Sequence, residues 1–320
     1  MLRRHLVFGS CLLPMAAQAE SWPQRPVRIV VPYPPGSGTD IAGRVLAERL
    51  QQAWGQPVVV ENKPGAGAIL GVETVAHAAP DGYTLVMGDN GPLAINPALY
   101  ARLPYDPDRD FAPITLLARL PFVLVVHPEL AARSVAELVA LARRDASALT
   151  YASVGNGSAT HLSMVLFCNR TGIQAEHIPF RGNAPALTEV MSGRVGMMFV
   201  NTLSSLDLIR AGKLRALAIG SANRSATLPE VPTLAEALGQ AEARAETWFG
   251  LLAPAGTDAA IIRRIAADVA AATEQPELRT RLEAQGAIVA SSSPAGFATM
   301  ITAEQRRWAE AVRLSGAKVE

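Results

Sequence analysis

Cysteine is almost absent from this 320-residue chain, which contains only Cys11 and Cys168. Aromatic residues make up 5% of the sequence, too few for the stacking surfaces that bind single-stranded nucleic acids. Neither sign of charge is in excess, because 29 Lys and Arg face 28 Asp and Glu. That balance predicts no basic patch for nucleic acid. No apolar run approaches the ~20 residues that a membrane-spanning helix needs. Nucleic-acid-binding and membrane-embedded proteins are therefore excluded.

The composition that remains is that of a globular protein. Apolar residues make up 49% of the chain and charged residues 18%. A chain of 320 residues is too long for most single cores, so two domains are expected.

The first 19 residues have the three parts of a secretory signal peptide in the right order. Arg3 and Arg4 form a positive start, residues 6–17 are mostly apolar, and an A-x-A cleavage site ends at Ala19. We therefore predict export to the periplasm with cleavage after Ala19. A buried first helix and a lipoprotein anchored at Cys11 are the alternatives. The second is disfavoured because the residues before the cysteine make a poor lipobox.

The chain repeats one plan of secondary structure in two segments. In each segment the pattern predicts a strand, a Gly-rich loop, a helix, a strand, a helix and a strand. The first segment has strands at 27–31, 57–61 and 83–87 and helices at 39–54 and 68–79. The second has strands at 149–153, 174–178 and 195–200 and helices at 159–170 and 183–192. That order implies two α/β lobes, each a mostly parallel sheet flanked by helices.

Two further apolar strands are expected to join the lobes. Residues 122–126 lead from the first segment into the second, and residues 247–253 lead back. The C-terminal tail is predicted to be helical and to pack on the first lobe. Lobe 1 then comprises residues 20–121 and 254–320, lobe 2 comprises residues 122–253, and the hinge strands lie near 122–126 and 247–253.

The loops that follow the predicted strands are the candidate ligand-binding segments. Ligands of open α/β sheets bind beyond the carboxyl ends of the strands, and a Gly-rich loop that opens a helix offers free backbone N–H groups to an anion. A small carboxylate is therefore a physically sensible ligand. The candidate ligand-binding residues on these loops are Tyr33, Gly36, Ser37, Gly38, Thr39, Asp40, Asp89, Asn90, Gly155, Asn156, Ser158, Ala159, Thr160, His161, Arg181, Gly182, Asn183 and Asn201.

Three of these side chains have a structural interpretation beside the functional one. Asp40 lies in the first turn of a predicted helix, where an acid also stabilises the helix dipole. His161 is either a cleft residue or a buried histidine. Arg181 is either an ordinary surface arginine or a partner of a ligand carboxylate, for which its guanidinium is well suited.

The sequence does not complete the motifs of common enzyme classes. Residues 36–41 have Ile where a dinucleotide fingerprint needs Gly or Ala, and they lack the Gly-Lys-Ser/Thr of a P-loop. The chain has no G-x-S-x-G sequence. The histidines of the mature chain show no metal-ligand spacing. The sequence therefore predicts no catalytic residue, no metal and no cofactor.

At these loops the sequence resembles the Bug family, the extracytoplasmic solute receptors of tripartite tricarboxylate transporters. The resemblance covers nearly all of the mature chain. The segments that carry it are 32–40, 61–67, 79–85, 94–97 with 99–100, 151–161, 179–182 and 228–233. Ser37 and Asn183 depart from the small residues that the family often has there, so the ligand of a relative does not transfer.

The resemblance implies a two-lobed periplasmic-binding-protein fold of type II-like topology, with the ligand cleft between the lobes. It implies a monomeric receptor that closes on a small carboxylate and delivers it to membrane permease subunits. By position, residues 33–40 and 154–161 would form the two sides of the clamp. An exported α/β enzyme acting on a carboxylate and a ligand sensor of a signalling system are the alternative functions.

Overall fold

A computed structural model describes residues 22–144, 149–284 and 286–319. The predicted signal peptide, residues 1–19, lies outside the described residues. The chain folds into a mixed α/β structure of two lobes that share one long strand.

Most strands are runs of β-branched and apolar residues, and several end at or next to Pro, Gly or Asn. The described residues form ten strands: β1 Val27–Val31, β2 Val58–Asn62, β3 Thr84–Asp89, β4 Phe111–Val126, β5 Thr150–Ser153, β6 Glu176–Pro179, β7 Met197–Asn201, β8 Arg215–Ile219, β9 Glu246–Pro254 and β10 Ile288–Val289.

Helices begin mostly behind a capping side chain, and several end at a glycine in the left-handed conformation. The described α-helices are α1 Gly38–Trp54, α2 Ile69–Ala76, α3 Asn96–Leu99, α4 Val135–Arg144, α5 Ala159–Thr171, α6 Asn183–Met191, α7 Thr202–Arg210, α8 Leu234–Leu238, α9 Ala259–Thr273, α10 Pro276–Glu283 and α11 Pro294–Ser315. A 3₁₀ turn at Ala66–Ala68 precedes α2, and a π-helical turn at Gly91–Ile95 precedes α3.

The first lobe contains the strand order β2-β1-β3-β9-β4, with β10 pairing with β4. Strand β1 is parallel to β2 and β3, whereas β9 is antiparallel to both β3 and β4. The second lobe contains β6-β5-β7-β4, with β8 also pairing with β4. Helices cover both faces of each sheet, so both sheets are buried between two layers of helices.

Strand β4 is the element that the lobes share. Its first part, Phe111 to Pro121, pairs with β9, and its last part, Phe122 to Val126, pairs with β7. The sequence predicts only residues 122–126 as a strand. The first part was missed because Pro113 interrupts the apolar pattern, and the pairing with β9 shifts in register just after it.

Residues 247–253 form a strand, as the sequence predicts, and lie within β9. Strand β9 pairs with β3 and with the first part of β4, and so belongs to the sheet of the first lobe. The return crossing lies just before β9, where the N–H of Phe122 donates to the carbonyl of Ala245 over 2.8 Å. The sequence places the lobe boundary at residue 253, whereas these pairings favour a boundary near residue 245.

Two helices form a contact between the lobes that the sequence does not predict. Leu162 and Leu166 of α5 pack in one apolar cluster with Trp308 and Val312 of α11. Helix α11 also packs on the first-lobe sheet, where Gly250 faces the ring of Phe297 and leaves no room for a side chain. The last helix is thus apolar on both its first-lobe and second-lobe sides.

Candidate functional site

The carboxyl ends of the parallel strands of both lobes lie at the crossing. Strand β7 is antiparallel to β4 and ends at Asn201, which pairs with Phe122. Two residues earlier in β4, Leu120 pairs with Thr247, whose hydroxyl donates to Oδ1 of Asn90 over 2.6 Å. The ends of β3 and β7 are therefore connected through only a few residues of β9 and β4. Carboxyl ends of strands are where ligands of open α/β sheets bind.

The loop after β1 is fixed by its own side chains. Ser37 is the N-cap of α1, and its Oγ accepts from the N–H of Asp40. The Asp40 carboxylate accepts from the N–H of Gly36 at 2.9 Å, from Nε of Arg44 at 3.0 Å and from Nδ2 of Asn62 at 2.8 Å. Burial raises the pKa of Asp40, but these hydrogen bonds outweigh it and lower the pKa. Asp40 therefore holds the loop in shape, and its acceptor atoms are committed within the first lobe.

A second buried acid, Asp89, lies at the end of β3. Its Oδ1 accepts from the hydroxyl of Tyr33 and from the N–H of Gly91, both at 2.9 Å. The side chain of Thr39 is a third donor. Burial raises the pKa of Asp89 to about 6 even though these three donors favour the ionised form. Burial, followed by the nearby carboxylate, raises the pKa of Tyr33, so its hydroxyl stays protonated.

Asn90 follows directly and is 2% exposed. Its Oδ1 accepts from Thr247, while its Nδ2 contacts no acceptor among the residues that the structure describes. A buried amide donor without a partner costs about 1–3 kcal/mol. Such a group at the end of a parallel strand is a candidate donor to a ligand oxygen.

The loop after β5 closes on itself in the same way as the first-lobe loop. Ser158 is the N-cap of α5 and accepts from the N–H of His161, while Oγ1 of Thr160 accepts from the N–H of Val154. Gly157 has a φ of +72°, and a Cβ atom there would lie 2.6 Å from Leu99 of the first lobe. Only glycine therefore fits at this point, where the second-lobe loop touches α3.

His161 supports this loop from beneath. It is 4% exposed, and its Nδ1 accepts from the N–H of Gly157 over 3.1 Å. Its neutral ring therefore carries the proton on Nε2. Burial, together with the neighbouring His177, lowers the pKa of His161 to about 4. Of the two interpretations that the sequence leaves open, the structure favours a buried histidine.

His177 was missed as part of this loop. Its ring stacks on that of His161 with the centroids 3.9 Å apart, and its Nε2 lies 2.7 Å from Oγ of Ser153. Burial lowers its pKa. The signal that could have found it is the strand register, because His177 lies directly opposite Tyr151 of β5, and the two rings also stack.

The two remaining second-lobe loops are joined by one serine. Asn201 is the N-cap of α7 and accepts from the N–H of Ser204, whose Oγ accepts from Nδ2 of Asn183 over 3.2 Å. Gly182 precedes α6 with a φ of +114°. Arg181 is exposed.

The predicted residues thus fall into three groups. The loop after β1 and the end of β3 form the first, the loop after β5 forms the second, and the starts of α6 and α7 form the third. Gly38 packs on Phe249 in the first group, whereas Gly155, Asn156 and Ala159 line the surface of the second.

A cavity of about 840 Å³ lies beside the crossing and contains none of the predicted residues. It is lined by Arg119, Glu246 and Arg307, by residues 222–227 and by part of α11. Arg119 pairs with Glu246, and Arg307 pairs with Glu304. Because its charges neutralise one another, this cavity is less suited to an anion than the helix starts are.

Within the described part of the chain no group of three or more His, Cys, Asp or Glu side chains is arranged to hold a metal ion. In the same residues no helix combines the length and the apolarity that crossing a membrane requires.

Residues 42–316 match the family described as "Tripartite tricarboxylate transporter family receptor", TctC. The chain belongs to this family. BugT of Bordetella pertussis is 39% identical over 303 residues, which are 94% of this chain and 93% of BugT. The resemblance to the Bug receptors is thereby confirmed.

Solved structures of similar sequence have the same fold. MatC from Rhodopseudomonas palustris, in a structure with bound malate, is 34% identical with a TM-score of 0.75, covering 91% of this chain and all of MatC. Rpa4515 from R. palustris, in a structure with adipate, is 35% identical with a TM-score of 0.79, covering 93% of this chain and all of that protein. The two-lobed receptor fold is confirmed, and the chain is a solute-binding receptor rather than an enzyme.

Proposed function

We propose that this receptor captures a small carboxylate between its lobes in the periplasm and delivers it to the permease subunits of a tripartite tricarboxylate-type transporter. The observation that carries the proposal is the arrangement of helix starts. Helices α1, α5 and α7 all begin at carboxyl ends of strands near the crossing, behind the caps Ser37, Ser158 and Asn201.

Helix starts of this kind favour an anion. The first-turn N–H groups of a helix have no partner within the helix, and the helix dipole places partial positive charge there. Each cap satisfies one such N–H group and leaves others for a ligand oxygen. Arg181, on the loop before α6, adds a full positive charge for a second carboxylate. Adipate and malate, bound by two relatives, are both dicarboxylates.

The same proposal includes the motion of the lobes. The chain passes between the lobes at Pro121 to Phe122 and again at Ala245 to Glu246. Two crossings make hinge closure the natural response to a ligand that both lobes contact. We propose a monomer whose lobes are residues 22–121 with 246–319 and residues 122–245, exported with cleavage after Ala19.

A binding screen tests the carboxylate ligand. The protein without residues 1–19 is melted in the presence of mono-, di- and tricarboxylates that include malate and adipate. A ligand at 100 times its dissociation constant stabilises the folded state by about 2.7 kcal/mol. A shift with at least one carboxylate is expected, and isothermal titration calorimetry then gives its affinity. A melt that no carboxylate shifts would refute the proposed ligand class.

Cap substitutions test the site. Ser37→Ala, Ser158→Ala and Ser293→Ala each remove a serine N-cap, at an expected cost of about 1 kcal/mol of stability. Ser293 caps α11, away from the predicted loops, and is the matched control. We expect affinity to fall at least tenfold for the first two variants only. Equal affinities in all three folded variants would show that the helix starts do not bind the ligand.

A further inference from the structure

We propose that the receptor binds its anionic ligand together with a proton, and that Asp89 holds this proton. The inference rests on the proposed function, because it concerns the same cleft. It adds a second, chemically defined ligand to the receptor. The proposal rests on the burial of Asp89 at the end of β3 and on the uncharged groups around it.

Asp89 is connected to the loop that would hold the ligand. Asp89 is 7% exposed. Its donors are Tyr33 from the loop after β1, Thr39 from the first turn of α1 and Gly91 from the turn after β3. The carboxylate therefore lies directly behind the start of α1. It is next in the chain to Asn90, whose Nδ2 contacts no acceptor in the part of the chain that the structure describes.

None of these donors is charged. The titratable groups that face Asp89 are Tyr33 and Tyr105, and strand β9 presents Phe249 opposite it. Among the described residues no Lys, Arg or His forms an ion pair with Asp89. The other buried acids differ, because Asp40 pairs with Arg44 and Glu246 pairs with Arg119.

An anion bound at the start of α1 would therefore lie near a second negative charge that has no counter-ion. Two carboxylates that share a site cannot both stay ionised without a large rise in one pKa. Burial already raises the pKa of Asp89 to about 6 in the free protein. A further rise on binding takes the group past neutral pH, so the complex takes up a proton.

The sign of the effect follows from linkage. Between pH 6 and pH 8 the free protein loses the Asp89 proton while the complex keeps it. Affinity for an anion should therefore fall by up to about tenfold per pH unit as the pH rises. A ligand that placed an ammonium group beside Asp89 would give the opposite slope.

Calorimetry measures the proton directly. Malate, adipate and any other carboxylate that shifts the melt are titrated into the protein without residues 1–19 at pH 7, in HEPES and in Tris, whose ionisation enthalpies differ. The dependence of the binding enthalpy on the buffer gives the number of protons taken up. Affinities are also measured from pH 6 to pH 8, a range in which His161 stays neutral because its pKa is about 4.

Wild-type protein should take up a large fraction of one proton for each ligand bound at pH 7, because the complex keeps the Asp89 proton that the free protein has mostly lost. Asp89→Asn keeps an oxygen that accepts from Tyr33 and Gly91 but cannot titrate, and should reduce the uptake to near zero and flatten the pH dependence. Glu246→Gln is the matched control, because it removes another buried acid outside the predicted loops, and it should leave the uptake unchanged.

The outcomes separate the two proposals. Binding of a carboxylate with no proton uptake by the wild-type protein, or with the same uptake by Asp89→Asn, overturns the proton inference and leaves the proposed function standing. If none of the mono-, di- and tricarboxylates binds, the proposed ligand class fails and the inference falls with it.

Discussion

Replacing His161 with Gln should reduce the acid sensitivity of the second lobe. The folded state holds His161 as a neutral ring, because its Nδ1 accepts from the N–H of Gly157 and one face of the ring stacks on His177. Burial, then the charge of His177, lowers the pKa of His161 from 6.5 to about 4. A depressed histidine pKa contributes stability that is present above the unfolded pKa and is lost as the pH falls toward the folded one.

The magnitude follows from the two pKa values. When the pH falls from 7 to 5, a histidine whose pKa drops from 6.5 to about 4 on folding lowers the free energy of unfolding by about 2 kcal/mol. The assay is urea denaturation at both pH values. Wild-type protein should lose about 2 kcal/mol more than His161→Gln does over this interval.

Replacement of an exposed histidine is the control for this assay. His77 is exposed at the end of α2, and His77→Gln should keep the full loss of the wild-type protein. If His161→Gln lost as much stability as wild type between pH 7 and pH 5, His161 would not be held neutral. The interpretation of the stacked pair would then be wrong.

Three further predictions concern other parts of the chain. Gly157→Ala should destabilise the protein more than Gly212→Ala in a thermal melt. Both need a left-handed backbone, which costs about 1–2 kcal/mol, but only the first meets Leu99; equal shifts would contradict that contact. Arg181→Ala should change stability by less than about 0.5 kcal/mol yet weaken binding and blunt the ligand-dependent fall in radius of gyration measured by X-ray scattering. If the ligand-dependent fall in radius of gyration were the same in Arg181→Ala as in the wild-type protein, Arg181 would not take part in the site. Thr233→Ala breaks the capping box of α8 and should cost about 1 kcal/mol in urea denaturation without changing affinity; an unchanged midpoint would contradict it.

Local patterns in the sequence were enough to predict most elements. Residues 27–31 are a short β-branched run that ends at a proline, and the strand has the same bounds in the structure. Helix α5 was predicted from Ala159 because glycines precede it, and Gly172 ends it as expected. The first part of β4 was not predicted, because Pro113 interrupts its apolar pattern and its pairing with β9 joins residues more than 120 positions apart in the chain.

The strand-end rule located the candidate loops, but not what their side chains do. Asp40 is held by Asn62, which follows 22 residues later and reaches the loop only because β2 lies beside β1. His177 belongs beneath the loop after β5 only through its register with Tyr151. Such roles depend on pairings between strands, which a single sequence does not specify.

The shared strand β4 has a consequence for the order in which this protein can fold. The second lobe is one continuous segment, residues 122–245, whereas the first lobe is built from both ends of the chain. When the chain appears with its N-terminus first, the second lobe is complete before the residues of β9 are available. Strands β3 and β4 then each have an unpaired edge until β9 inserts between them. We therefore expect completion of the first lobe, and with it the docking of α11 on α5, to be the slow, long-range step of folding.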